Sequence, residues 1–179
     1  MTDGLFLFGS DQTAEVPSSP GTANHATAKA PLGALYRENG KIWRYVKFDA
    51  QGVAAVAIGV VHWYALDPAN GVFTVTTDMS DGIGKNLVAG VLGCVVTDGY
   101  YTWIQVGGVA SALIDFTVLP GDYVAGAVPG IKMKYSATDK KFAAVAPTTG
   151  ADAMVFGVMI ELGSVTDSYG KVLLQNLDW

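Results

Sequence analysis

Reactive side chains are few in this sequence and stand far apart. It has two histidines, His25 and His62, and one cysteine, Cys94. A Ser-His-Asp triad needs a histidine beside an activated serine, and no Gly-x-Ser-x-Gly elbow is present. One cysteine and two distant histidines do not make the clustered ligand set of a zinc site. No Asp-x-Asp-x-Asn-Gly loop offers calcium its oxygen cage. Gly82-Ile83-Gly84-Lys85 and Gly170-Lys171 hold the residue types of a phosphate loop, but neither completes Gly-x-x-x-x-Gly-Lys-Ser/Thr nor opens a helical period. These glycines read as turn residues.

Paired carboxylates run glycoside hydrolysis, and Asp115, Asp122 and Glu161 lie near apolar runs. The sequence places no two of them face to face, and they read as strand-end or solvated groups. Tyr100, Tyr101 and Trp103, with Trp63, are the residues a sugar platform would use. Strand alternation puts Tyr101 and Trp103 on one face. The simpler reading is a core tryptophan with packing aromatics. His62, inside the most apolar run, reads as a half-buried structural residue with its polar tip satisfied. The sequence thus predicts no catalytic residue, no metal and no cofactor.

Composition narrows the class further. The chain has 179 residues, with 50% hydrophobic and 15% charged residues and 22 glycines. Charge in an average soluble protein is about 25%. This profile excludes a disordered chain, a coiled coil and a highly charged helical protein. A net charge of −5 with 11 scattered basic residues is a poor footprint for nucleic acid. The start, Met1-Thr2-Asp3-Gly4, lacks the basic region of a secretory leader. The longest apolar run, Val53 to Leu66, falls short of the roughly 20 residues of a membrane span. A protein folded in a cytoplasm, binding neither membrane nor nucleic acid, is expected. So little charge points to a surface covered by a partner.

Residues 1–31 read as an extended arm, rich in Ser, Thr, Ala, Pro and Gly after the apolar tip Leu5, Phe6, Leu7 and Phe8. That tip is the candidate partner-binding element. Residues 32–179 read as one domain. Asn39-Gly40 between Ala34–Glu38 and Lys41–Phe48 is a strong hairpin signal, because both residues tolerate positive φ. Val72 to Thr76, Asn86 to Val96, Tyr100 to Val106, Val109 to Phe116, Ile131 to Tyr135, Lys141 to Val145, Ala153 to Leu162 and Val172 to Leu177 follow as strand-like runs. In Val53 to Leu66, Gly52 to Ala57 reads as a short helix and the remainder as a strand. About ten short strands with turn signals every ten residues or so predict an all-β barrel or sandwich. No exact internal repeat is visible.

Two segments resemble a known family. One is Leu35-Tyr36-Arg37-Glu38-Asn39-Gly40-Lys41-Ile42-Trp43-Arg44-Tyr45-Val46-Lys47, followed by an Ala-rich stretch. The other is Ala89-Gly90-Val91-Leu92-Gly93 with Asp98-Gly99-Tyr100-Tyr101-Thr102-Trp103-Ile104-Gln105-Val106-Gly107-Gly108. Together they resemble the decoration (cement) proteins of tailed-bacteriophage heads. The resemblance covers Ala34 to Trp179 and is strongest over Leu35 to Ala110. It leaves out the arm and the stretch Leu66 to Lys85. It implies a virion structural protein, made in a bacterial host and bound to the outside of the major capsid protein shell, where it bridges neighbouring capsomers. It also implies a homo-oligomer, a trimer in many such proteins, with Asn39, Gly40, Trp43, Tyr45, Gly99, Tyr101, Trp103, Gln105, Gly107 and Gly108 as structural motif residues. A tail or fibre module binding carbohydrate is the alternative.

Overall fold

The computed structural model describes residues 5–6, 20–78, 80–81, 87–115, 132–135, 140–144, 157–164 and 169–175. Among these the fold is all-β. In chain order the strands are β1 (Leu5–Phe6), β2 (Leu35–Glu38), β3 (Lys41–Phe48), β4 (Val60–Asp67), β5 (Val72–Thr76) and β6 (Val88–Leu92). They continue with β7 (Tyr101–Asp115), β8 (Lys132–Tyr135), β9 (Phe142–Ala144), β10 (Gly157–Ser164) and β11 (Tyr169–Leu174). Gly52 to Ala57, expected as a short helix, forms turns instead. Its glycine and β-branched valines weaken a helix that would be barely one turn long.

The Asn39-Gly40 hairpin forms as expected. Both residues take positive φ, 50° and 74°, and Glu38 pairs with Lys41 across the turn. Gly107-Gly108 does not separate two strands. Tyr101–Asp115 is one 15-residue strand that runs through both glycines. Gly108 sits at φ 78°, and the register against β3 shifts between Ile42 and Trp43. A Cβ at Gly108 would collide with the carbonyl of Gly40, so this bulge admits no larger residue.

β3, β5, β4, β6 and β7 close on themselves into a five-stranded barrel, because β7 pairs back onto β3. Only the β3–β5 contact is parallel. The stretch from Leu66 to Lys85, outside the resemblance, supplies β5, without which this barrel would not close. A second ring follows. β7, β11, β10, β8 and β9 also close, because β9 pairs back onto β7, and again only that contact is parallel.

The two rings have the same topology, and β7 is the last strand of the first and the first strand of the second. Their registers also agree around the whole circuit. Trp43 faces Gln105 and Val91 faces Gln105 in the first ring; Val109 faces Leu173 and Val158 faces Leu173 in the second. Val61 faces Gly90 and Trp63 faces Val75; Met133 faces Gly157 and Tyr135 faces Phe142. The same two glycines meet the same obstacle. A Cβ at Gly90 would lie 2.6 Å from the Gln105 carbonyl oxygen, and one at Gly157 would lie 2.7 Å from that of Leu173. The chain is therefore an internal structural repeat. The sequence hides it, since matched strand positions keep only scattered identities such as Gly90/Gly157, Val91/Val158, Asp49/Asp115 and Tyr101/Tyr169.

One apolar core runs through both rings, from Val46, Phe48, Trp63 and Ile104 to Ala112, Ile114, Met159 and Val172. Backbone bonds from Leu113 N–H to the Ile58 carbonyl (2.9 Å) and from Val60 N–H to the Lys140 carbonyl (2.8 Å) tie the rings together.

Candidate functional site

Alternation along β3 and β7 sends Val46, Phe48, Ile104 and Val106 into the first barrel. It sends Trp43, Tyr45, Trp103 and Gln105 out of it, in rows fixed by the pairings Trp43–Gln105 and Tyr45–Trp103. These outward residues are nonetheless buried. Ala23, Ala30, Ala34 and Tyr36 cover them and make a second, smaller core outside the barrel. The Tyr45 and Trp103 rings are 5.0 Å apart, Tyr36 and Trp103 6.0 Å, and Tyr45 stacks on Tyr101 at 6.3 Å.

The covering segment is bonded in place. Lys29 N–H donates to the Tyr45 hydroxyl at 3.0 Å, and His25 Nδ1 lies 2.9 Å from that oxygen. His25 and Tyr101 exchange two backbone hydrogen bonds of 2.9 Å each. Thr102 Oγ1 donates to the Ala23 carbonyl at 2.7 Å, and Thr97 N–H to Asn24 Oδ1 at 3.1 Å. Residues 20–31, the second part of the expected arm, thus pack against the strands. Their small side chains lack periodicity because they lie flat on an aromatic face contributed by distant strands. Burial raises the Tyr45 hydroxyl above its ordinary range, against the Lys29 N–H bond that lowers it, and the neighbouring Tyr101 adds to the rise. Burial also raises the Cys94 thiol, against a lowering hydrogen bond with Thr102, and its Sγ donates to the Ala23 carbonyl at 3.4 Å.

The motif residues from the sequence converge here. Asn39 and Gly40 turn the hairpin, Gly99 turns the chain into β7 at φ 76°, and Gly107 and Gly108 carry the bulge. Gln105 is buried, and its Nε2 donates to the carbonyls of Gly107 (3.0 Å) and Val109 (2.9 Å), which holds the bulge's shape. Leu5 and Phe6 form β1, paired with Arg37 and Tyr36 at the edge of the sheet. Leu7 and Phe8 lie outside the described residues. Sequence reasoning missed Tyr36 and His25 as partners of this face.

Of the aromatics a sugar platform would use, Tyr100 and Tyr101 are half-buried and the two tryptophans are in the core. Trp103 is 1% exposed and Trp63 0%, so neither offers a ring to a ligand. His62 is fully rather than half buried. Of the three carboxylates, Asp122 is outside the described residues and Glu161 forms an exposed ion pair with Lys171 at 2.6 Å. Among the described residues no group of three or more His, Cys, Asp or Glu could hold a metal ion. A groove of about 390 Å³ beside the hairpin is lined by Trp43 and Gln105 together with Pro20, Gly21, Asn39 and Lys41. Comparisons with protein-family models, with curated proteins and with solved structures find no match. The class rests on the fold: an all-β protein of two fused five-stranded rings.

Proposed function

We propose that this chain is a structural protein of a tailed-phage head, a decoration protein seated on the outer surface of the major capsid protein shell. The observation that carries the reading is the direct pairing of the two segments that resemble that family. Residues 42–47 of the first lie in register with residues 101–107 of the second, and their aromatic side chains form the buried outer core. The residues of the resemblance are therefore the frame of the molecule, as a structural role requires. Low charge and exposed apolar side chains also support a protein whose surface is shared with a shell. Its work would be mechanical, bridging capsomers without catalysis, as a trimer or another homo-oligomer.

Quantitative mass spectrometry of purified virions tests this. Hundreds of copies per particle, in fixed ratio to the major capsid protein, are expected, together with raised heat resistance of undecorated heads on adding purified protein. A handful of copies, or heads left unchanged, would sink the proposal.

A further inference from the structure

The repeat gives each surface of the first ring a counterpart in the second. Trp43, Tyr45, Trp103 and Gln105, which lie beneath residues 20–36, correspond in register to Val109, Ser111, Lys171 and Leu173. Among the described residues, several side chains of the second face are exposed. Val109 is 40% exposed, Leu173 42%, and Ile160 on the adjoining strand 38%. Val109, Leu173 and Val158 are direct neighbours across three strands.

We infer that the outer face of β7, β11 and β10 is a docking surface for an extended, uncharged, apolar polypeptide segment of a partner protein. The molecule itself shows what such a frame accepts. The first ring's face is covered by a stretch with little regular structure, through small side chains such as Ala23, Ala30 and Ala34, and residues 20–34 include one lysine and no acidic residue. Charge fits the same occupant. The face's two charges, Lys171 and Glu161, neutralise each other at 2.6 Å, so it offers a partner no net charge to match. The two faces are also continuous. Both lie along β7, and the groove at the end of the first extends from Trp43 and Gln105 to Ser111 on the second.

The probe is a display library of random 12-residue peptides, selected on the full chain. Neutral peptides rich in small and apolar residues should be enriched. A synthetic representative should bind Leu173→Asp and Val109→Asp about tenfold or more weakly than wild type. Val95→Asp, at an exposed valine outside this face, should bind as wild type does. Circular dichroism confirms that each variant is folded. No enrichment, or binding that survives both aspartates, overturns the inference. So does a wild-type dimer in sedimentation that Leu173→Asp dissociates, since a second copy would then be the occupant.

Discussion

One backbone frame appears twice in this molecule and carries two different surfaces. On the first ring, the outward rows of β3 and β7 hold Trp43, Tyr45 and Trp103, sealed by residues 20–36. On the second, the matched positions on β7 and β11 hold Val109, Ser111 and Lys171, and they meet solvent. Topology and register are shared, so the frame alone does not decide whether its outer face is sealed within the chain. Side-chain size and the presence of a covering segment do. The first face behaves as core and the second as surface.

The sharpest way to test the comparison is to truncate matched residues. Trp103→Ala should cost about 3–5 kcal/mol, because the removed ring leaves a cavity among Tyr36, Tyr45 and the covering alanines. Lys171→Ala, at the corresponding position, should stay within about 0.5 kcal/mol, since an exposed ion pair contributes little. Urea denaturation of both variants checks this, and equal losses would break the contrast.

The repeat itself is tested by its glycines. Gly90→Ala and Gly157→Ala each push a methyl against a backbone carbonyl and should each cost about 2–3 kcal/mol. A loss at one and none at the other would mean the rings are not equivalent in packing. Calorimetry of the two variants reads both the loss and any splitting of the transition.

Among the buried positions, the smallest expected loss belongs to the Tyr45 hydroxyl. Tyr45→Phe removes a bond from Lys29 N–H and one shared with His25, for about 1–2 kcal/mol. The pH dependence has a definite sign. Tyr45 ionises at higher pH in the fold than the ordinary 10.0. Its contribution is complete below pH 10 and falls as pH rises above it, because the unfolded chain then loses its proton first. Alkaline melting curves should therefore fall less steeply for Tyr45→Phe than for wild type. Tyr36, raised by burial and by Glu38, supplies alkaline sensitivity that remains.

Much of this fold was legible in local chemistry. Asn39-Gly40 marks its hairpin because both residues tolerate positive φ, and Val72 to Thr76 reads as the strand it is, bounded by Gly71 in the left-handed region. The runs Ile131 to Tyr135 and Lys141 to Val145 likewise hold β8 and β9, which pair antiparallel. The candidate site was half legible. Trp43, Tyr45, Trp103 and Gln105 stand out in the sequence, but their cover reads there as part of an extended arm. Nothing in Pro20 to Pro31 has a period, because those residues follow a surface made by other strands rather than a helix or sheet of their own.

The sequence by itself determined the class: short β-branched and aromatic runs, punctuated by glycine turns, can bury their apolar faces only in a closed or layered sheet. Tertiary structure alone decided that β7 runs unbroken through Gly107 and Gly108, that two rings share it, and that one face is sealed while its twin has several exposed side chains. Strand pairing joins residues far apart in sequence, such as Trp43 with Gln105 and Val109 with Leu173. Inward–outward alternation and turn geometry set that register, and many different side chains satisfy the same alternation, so a repeat of pairings persists where a repeat of residues has all but vanished.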